Sequence, residues 1–197
     1  MTRIPYLDQN NGLDDSAAEV FEHINESRGN VIGVFALLLN SPPVAKLTAD
    51  LGGYLRFDSI LNQTVKELVI LTTLSENYCQ FEWAFHEGFA LEAGISPQVV
   101  DVIKYRQELS SEPEVSPIET KIISFVRELV NNKRITDSTY QALEQEFSTQ
   151  ELTEITSLTG YYCMVACQLN AFALAAPAGK PHLPEPAVAS DAATETK

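Results

Sequence analysis

The sequence has no long uninterrupted apolar run, and this limits what the protein can be. Its most apolar stretch, residues 161–176, is interrupted by Gln168 and Asn170, whereas a membrane-spanning helix needs about 20 predominantly apolar residues. We therefore interpret this stretch as a buried helix. The N-terminus also lacks the cationic segment and apolar core of a signal peptide, so the cytoplasm is the expected location.

Positive charge and cysteine are both scarce. Only 13 Lys and Arg residues stand against 27 Asp and Glu, which gives a formal net charge of −14. Such a protein repels phosphate backbones and anionic lipid surfaces, so we expect neither nucleic acid nor a membrane as a partner. Three cysteines, Cys79, Cys163 and Cys167, are too few for a disulfide framework, and we expect their thiols to be reduced.

Strand-type alternation is nearly absent, and helix-start patterns recur instead. Two Ser-Pro pairs, at Ser41 and Ser96, place an N-cap before a proline at the first helical position. Four segments match the capping box, in which Ser or Thr is followed three residues later by Glu; they begin at Ser16, Thr64, Ser116 and Ser148. The apolar residues between these starts recur at helical spacing. The sequence therefore predicts an all-α fold, with helices near residues 16–28, 31–40, 42–55, 64–77, 78–93, 96–105, 116–132, 136–147 and 148–176.

Neither an internal repeat nor a domain boundary interrupts these segments, so we expect one helical domain over residues 1–176. A chain of 197 residues is long enough to bury roughly 70% of its unfolded surface without disulfides. The composition changes at Pro177, because four of the ten prolines lie in the last 21 residues. We expect residues 177–197 to form an extended or disordered tail.

The stretch from Tyr78 to His86 is the most informative for function. Because Glu82 and His86 are four residues apart on a helix, they can hydrogen-bond, which fixes the imidazole tautomer and raises its basicity. At 100° per residue, one side of the helix is a reactive stripe formed by Cys79, Glu82, Trp83, His86 and Ala90, and the opposite side is a packing stripe formed by Phe81, Ala84, Phe85, Gly88 and Ala93. A solvated face would carry Lys, Glu and Gln, so we predict that the reactive stripe faces a pocket or a subunit interface.

Each of these residues also has an ordinary structural interpretation. An i,i+4 Glu–His pair is often only a helix contact. Cys79 is equally consistent with a small core residue. Trp83 is equally consistent with a core anchor whose indole N–H finds a partner. The combination of these side chains on one stripe is what favours a functional site.

The sequence resembles the carboxymuconolactone decarboxylase and alkyl hydroperoxidase D-like family. The resemblance extends from about residue 27 to residue 175 and depends on five segments: 51–57, 66–71, 79–86, 93–96 and 160–162. Its most specific feature is the spacing of Glu67, Cys79 and His86, followed by Ala-Gly-Ile-Ser at residues 93–96. The resemblance implies a compact helical domain that assembles as a homo-oligomer, typically a trimer or a hexamer.

One substitution separates this sequence from the hydroperoxidase-like members. In those members the same spacing surrounds a Cys-x-x-Cys dithiol, to which the glutamate and histidine relay protons. Here the second thiol position holds Glu82, and dithiol turnover requires a resolving cysteine next to the attacking thiolate. The Glu-Trp-x-x-His pattern is instead similar to the decarboxylase-like branch. That branch implies proton transfer on a small organic acid or lactone, with no metal and no organic cofactor.

The leading hypothesis is therefore a cofactor-independent acid–base enzyme that decarboxylates or isomerises a small organic acid or lactone. We assign His86 as the general acid/base, Glu82 as its orienting partner or a second base, and Glu67 as a proton-relay carboxylate. Cys79 is the fourth catalytic candidate.

Substrate binding is assigned to the segment before Glu67 and to the tryptophan of the reactive stripe. Arg56 is a candidate clamp, because guanidinium binds a carboxylate in a bidentate fork. Its alternative interpretation is a structural ion pair, for which Glu67 is a candidate partner. Tyr54 and Trp83 are the other candidate substrate-binding residues.

Two other functions stay open. With an external thiol to resolve the sulfenic acid, Cys79 could act as a one-cysteine peroxidase if His86 ionises its thiol. An oligomeric protein that holds a small ligand without converting it would use the same pocket. Peroxide consumption with added thiol identifies the first alternative, and ligand binding without product formation identifies the second.

Overall fold

The computed structural model describes residues 2–109 and 114–185, which form nine α-helices and one π-helix and contain no strand. The all-α prediction is confirmed. In chain order the elements are α1 (Asp15–Arg28), α2 (Val34–Leu38), α3 (Pro42–Gly53), the π-helix (Tyr54–Asp58), α4 (Gln63–Glu76), α5 (Gln80–Glu92), α6 (Pro97–Lys104), α7 (Pro117–Asn132), α8 (Asp137–Glu144) and α9 (Thr149–Ala171). No helix in this part of the chain is long and apolar enough to span a membrane.

Three of the predicted N-caps have the expected side-chain chemistry. Ser116 and Ser148 form complete capping boxes at the starts of α7 and α9. At the start of α6, the Ser96 side chain accepts a hydrogen bond from the N–H of Val99. Ser41 precedes α3 as predicted, but its side chain makes no cap hydrogen bond.

Two predicted capping boxes are wrong, because α1 and α4 begin earlier. Asp14 and Asn62 are the N-caps of these helices, and each side chain accepts a backbone N–H of the first turn. The predicted caps, Ser16 and Thr64, lie inside the helices. Asp and Asn are N-caps as good as Ser and Thr. Each helix therefore begins after the Asp or Asn that comes first in the chain.

Helix α4 lies at the centre of the molecule. Every residue from Val65 to Ser75 is buried, and the helix packs against α5, α7 and α9. A helix surrounded in this way has no solvent face over those turns. A charged side chain on it, such as Glu67, therefore needs partners inside the protein.

Helices α3 and α9 approach each other closely at Gly52. A Cβ atom at this position would collide with the side chain of Tyr161, whose hydroxyl donates a hydrogen bond to the carbonyl of Thr48 over 3.2 Å. Glycine is therefore required at position 52 for this packing. The π-helix begins immediately after this contact.

The π-helix is held from two sides. Lys66 of α4 donates a hydrogen bond to the carbonyl oxygen of Arg56 over 2.6 Å. On the other side, the carboxylate of Glu154 in α9 accepts three hydrogen bonds from the segment, donated by the hydroxyl of Tyr54 (2.8 Å), the hydroxyl of Ser59 (2.6 Å) and the N–H of Ile60 (3.1 Å). These contacts fix the segment that carries Arg56.

The segment after α9 returns to the start of α5. The side chain of Gln80 and the backbone of Leu183 exchange two hydrogen bonds of 2.8 and 3.0 Å, and Leu183 is buried. The extended chain predicted after residue 176 therefore packs on the helices as far as this apolar residue. The rest of the predicted tail, residues 186–197, lies outside the described residues.

Candidate functional site

A buried carboxylate–imidazole pair joins α4 to α5. The Nδ1 atom of His86 lies 2.7 Å from Oε2 of Glu67, and both side chains are buried. The second carboxylate oxygen of Glu67 accepts a hydrogen bond from the amide of Gln63 over 2.9 Å. Because the carboxylate accepts the Nδ1 proton, Nε2 of the neutral imidazole is left as a hydrogen-bond acceptor.

Two side chains that can exchange a proton lie near that Nε2 atom. The Tyr162 hydroxyl of α9 lies 3.2 Å from it, and Oε2 of Glu82 lies 3.7 Å from it. Burial raises the pKa of Tyr162 well above its usual value. Burial also raises the pKa of Glu82, against the opposing charges of His86 and Arg56. Both neighbours of the imidazole therefore hold their protons to higher pH than an ordinary glutamate or tyrosine, and the imidazole can exchange a proton with them.

A cavity of about 350 Å³ opens beside Glu82 and His86, within the size range of small-molecule sites. Its other two charged lining residues are Arg28 and Arg56. Most of its apolar wall is formed by five phenylalanines: Phe35, Phe57, Phe81, Phe85 and Phe89. The cavity therefore combines an aromatic wall with a few convergent polar groups.

Gly33 closes one edge of this cavity. Its φ of 64° lies in the left-handed region that favours glycine, and its N–H donates a hydrogen bond to the hydroxyl of Tyr6 over 2.9 Å. A Cβ atom here would lie 2.8 Å from Cε1 of Phe81. A larger residue would displace the cavity wall.

The two arginines of the cavity differ in what they already contact. Arg28 donates hydrogen bonds of 2.9 Å to the hydroxyl of Ser27 and the carbonyl of Ala49. The Arg56 guanidinium lies 5.6 and 5.7 Å from the ring centroids of Phe57 and Phe89, and within residues 2–109 and 114–185 no acceptor hydrogen-bonds to it. Arg56 is therefore the cation that is free to bind a ligand.

Four of the seven residues that the sequence indicates lie together here: Arg56, Glu67, Glu82 and His86. Glu67, rather than Glu82, orients the imidazole through Nδ1. Glu82 faces Nε2 and the cavity. The alternative interpretation of Arg56, an ion pair with Glu67, is not what the described residues show, because the oxygens of Glu67 accept from Gln63 and His86.

Cys79 lies away from the cavity. It is the N-cap residue of α5 and is fully buried. Burial, with a smaller contribution from the charge of Glu82, raises the pKa of its thiol to about 12. A thiol with this pKa is almost entirely protonated at neutral pH, and the thiolate is the nucleophilic form.

The other two substrate-binding candidates are also outside the cavity. The buried indole of Trp83 donates its N–H to Glu87 over 2.7 Å. Trp83 is therefore a core anchor with a hydrogen-bond partner, as in its structural interpretation. Tyr54 donates its hydroxyl to Glu154. The cavity-facing side of α5, formed by Phe81, Glu82, Phe85, His86 and Phe89, is rotated by roughly 80° from the predicted reactive stripe.

Tyr162 is the main site residue that sequence reasoning missed. Its spacing in α9 identifies it only as a core residue. The available signal was the presence of two adjacent tyrosines, Tyr161 and Tyr162, in a buried apolar helix, because a buried hydroxyl needs a hydrogen-bond partner. The described part of the chain contains no group of three or more His, Cys, Asp or Glu side chains that could hold a metal ion.

Comparison with protein families gives a match that contains the main site residues. Residues 42–111 match the model of the carboxymuconolactone decarboxylase family. This segment includes Arg56, Glu67, Glu82 and His86, whereas Tyr162 lies outside it. No curated protein matches the chain in sequence.

Solved structures with the same fold carry several different names. An uncharacterized peroxidase-related protein of Ralstonia eutropha JMP134, described as an alkylhydroperoxidase AhpD core, is 17% identical with a TM-score of 0.71, over 90% of this chain and 93% of that one. A putative antioxidant defence protein AhpD from Agrobacterium tumefaciens is 19% identical with a TM-score of 0.63, over 71% and 94% of the two chains.

A third similar structure is the debrominase Bmp8, in complex with 2,3,4-tribromopyrrole as a cysteine-to-alanine variant. It is 12% identical to this chain, with a TM-score of 0.69 over 90% of this chain and 95% of that one. At such identities the likeness is one of fold, and one fold can host different reactions.

Proposed function

Since this chain belongs to the carboxymuconolactone decarboxylase family, we propose that it is a cofactor-independent acid–base enzyme that decarboxylates or isomerises a small organic acid or lactone. One observation carries the proposal. A buried carboxylate holds His86 by Nδ1, and Nε2 of the same ring faces Glu82 at the edge of a cavity that contains Arg56. This arrangement is suited to moving protons on a bound anion.

Arg56 binds the substrate in this proposal. Its guanidinium lies at the cavity with no hydrogen-bond acceptor among the described residues, so a carboxylate can take both arms of the planar fork. A protein of net charge −14 repels acids at long range, and a local cation is therefore needed to bind one.

Glu82 and His86 carry out the proton transfers. In an isomerisation, Nε2 of His86 removes a proton from one carbon and the Glu82 carboxyl donates one to another. The imidazolium then returns its proton to Glu82, whose Oε2 lies 3.7 Å from Nε2. In a decarboxylation, the bond to the departing carboxylate breaks, and its electron pair moves into a conjugated carbonyl. The carbon then takes the Glu82 proton, which solvent replaces through His86. Glu67 stabilises the imidazolium at each step.

The environment of Cys79 favours this proposal over a thiol peroxidase. The names of two structural neighbours refer to peroxidase and antioxidant proteins. In the described part of this chain, however, no cysteine lines the cavity, and the pKa of the buried Cys79 thiol is raised to about 12. The position of a second thiol is occupied by Glu82.

His86→Ala is the direct test. A panel of small unsaturated acids and lactones is screened by NMR for product formation and for proton exchange with deuterated solvent. On any substrate found, His86→Ala lowers kcat on the order of 10²–10⁴-fold, because general acid–base catalysis contributes about that much. Cys79→Ser is the comparison variant and keeps at least about a tenth of the rate, a loss of no more than about 1.4 kcal/mol.

Three results would contradict the proposal. The first is a folded His86→Ala protein with the wild-type rate. The second is loss of activity in Cys79→Ser together with peroxide consumption and a trapped sulfenic acid in the wild type, which would identify a peroxidase. The third is tight ligand binding with neither product nor solvent exchange, which would identify a binding protein.

We also propose that the protein is a cytoplasmic homo-oligomer, a trimer or a hexamer. The support is an exposed apolar stripe on α3 and the π-helix, formed by Val44, Leu47, Leu51, Tyr54 and Phe57. The first four positions are three or four residues apart and share one helical face. Because Phe57 also lines the cavity, this stripe borders the cavity mouth.

A further inference from the structure

We propose that the ligand of this cavity is a small planar aromatic acid with one carboxylate, bound with the carboxylate at Arg56 and the ring among the phenylalanines. This inference rests on the proposed function in taking the cavity as the substrate site. It goes further by specifying the ring and the number of negative charges.

The cavity wall favours an aromatic ring. Five of its residues are phenylalanines, and Phe81 and Phe85 form a tilted pair with centroids 5.4 Å apart. Two others keep much of their surface in solvent, since Phe57 is 59% exposed and Phe89 is 39% exposed. Aromatic rings prefer offset or edge-to-face contact at centroid distances of about 4.5–7 Å. A planar aromatic ring can make several such contacts here, whereas a saturated ring of similar area buries apolar surface but lacks the quadrupole that favours them.

The charges favour one carboxylate rather than two. Of the two arginines in the cavity lining, Arg56 has no hydrogen-bond acceptor among the described residues. Arg28 already donates to Ser27 and Ala49 and lies over the ring of Phe35 at 4.5 Å. Glu82 adds a carboxyl group to the same lining. A second ligand carboxylate would find no arginine without a hydrogen-bond acceptor, and burying a charge without a partner is costly.

The same contacts orient the ligand toward the proton-transfer groups. The ring of Phe89 lies beneath the Arg56 guanidinium at 5.7 Å. It also meets the ring of His86 edge-on, with centroids 5.4 Å apart at 86°. A ligand carboxylate at Arg56 therefore places the attached ring beside Phe89, next to the imidazole.

Benzoate is the probe that tests this inference. Binding to the full-length protein is measured by isothermal titration calorimetry and compared with three analogues. Benzamide keeps the ring without the charge, cyclohexanecarboxylate keeps the charge without the aromatic ring, and terephthalate adds a second carboxylate. We expect benzoate to bind at least about tenfold more tightly than each analogue. Benzamide and cyclohexanecarboxylate each lose one of the contacts above, and terephthalate adds a second negative charge with no free arginine to bind it.

Arg56→Ala links the selectivity to the proposed contact. It should weaken benzoate about tenfold or more and leave benzamide within about twofold of its wild-type affinity. Arg134→Ala, which removes an exposed arginine far from the cavity lining, should leave benzoate binding unchanged. If Arg56→Ala does not fold, the four-ligand comparison on the wild type decides alone.

The outcomes separate this inference from the proposed function. Equal affinity for benzoate and cyclohexanecarboxylate, or tighter binding of terephthalate, overturns the inference, even if a non-aromatic lactone acid is turned over in a His86-dependent way. The expected selectivity supports it, even if no aromatic acid is converted, and in that case only the catalytic proposal fails.

Discussion

Glu67 and Glu82 lie on either side of the same imidazole, and their surroundings differ. Glu67 is fully buried and accepts hydrogen bonds from Gln63 and His86. Glu82 borders the cavity with its side chain 17% exposed, and burial raises its pKa. Two carboxyl groups in unlike environments are suited to unlike roles. At the scale of the residue, the proposed reaction therefore uses Glu67 to orient the histidine and Glu82 to supply a proton.

The raised pKa of Glu82 predicts a pH-dependent effect of Glu82→Gln on stability. The folded protein holds this proton to higher pH than the unfolded chain, so the carboxyl group lowers the free energy of unfolding as pH rises from the ordinary carboxyl range through the folded pKa. We expect Glu82→Gln to become more stable than the wild type over that range, by about 1.4 kcal/mol for each unit of raised pKa.

Urea unfolding at a series of pH values from about 4 to 8 measures this difference. Glu92→Gln, which removes an exposed carboxylate from the end of the same helix, controls for loss of charge. If the difference in unfolding free energy between Glu82→Gln and the wild type stays constant or reverses as pH rises, burial does not raise the pKa of this carboxyl group.

At the scale of the element, the π-helix is the part of the fold that presents Arg56 to the cavity. It is five residues long, and hydrogen bonds to Glu154 and Lys66 hold it on two sides. Burial opposes ionisation of Glu154, but hydrogen bonds from Ser59 and its other donors lower the pKa of this carboxyl group. The carboxylate form therefore stabilises this segment.

We predict that Glu154→Gln loosens the π-helix. The amide has one acceptor oxygen in place of two and turns an NH₂ group toward donors, so the variant should lose about 1–3 kcal/mol of unfolding free energy at neutral pH. Amide hydrogen exchange in residues 54–60 should accelerate more than exchange in α7. The stability loss should shrink as pH falls through the lowered pKa, because the wild-type carboxyl group then becomes neutral too.

Tyr54→Phe is the matched control, since it removes a single donor to Glu154. It should lose less unfolding free energy than Glu154→Gln. Unchanged exchange in residues 54–60 of Glu154→Gln would mean that other contacts hold the π-helix in place.

At the scale of the whole molecule, a net charge of −14 opposes self-association. The exposed apolar stripe on α3 and the π-helix favours it. Leu47 and Leu51 are 70% and 49% exposed, which is unfavourable for a surface that stays in water. Salt screens the repulsion between protomers but leaves apolar contact intact. Assembly should therefore strengthen as ionic strength rises.

We predict that replacing both Leu47 and Leu51 by glutamate converts an oligomer into a 21.7 kDa monomer. Size-exclusion chromatography with light scattering measures the mass, and circular dichroism should show unchanged helicity. Tyr140→Glu, which changes an exposed aromatic residue of α8, controls for added charge and should leave the assembly intact. A wild-type protein that is monomeric at both low and high salt would contradict the homo-oligomer proposal.

The sequence by itself determined the helices, because the signals for them are local. Capping and apolar spacing act within three or four residues. The predicted segments lie within two residues of the observed helices, apart from the start of α2, the end of α8 and the end of α9 at Ala171. The π-helix was not predicted. The spacing of Glu67, Cys79 and His86 also singled out two residues, Glu67 and His86, that the fold brings into contact.

Only the tertiary structure decided how the site is arranged, because its contacts join residues far apart in the chain. Glu67 and His86 are 19 residues apart, and Tyr162 reaches His86 across 76 residues. The rotation of α5, which removes Trp83 from the cavity and adds Phe89, depends on how the helix packs on α4 and α6. Helical periodicity specifies which residues share a face, whereas packing of the surrounding helices specifies where that face points.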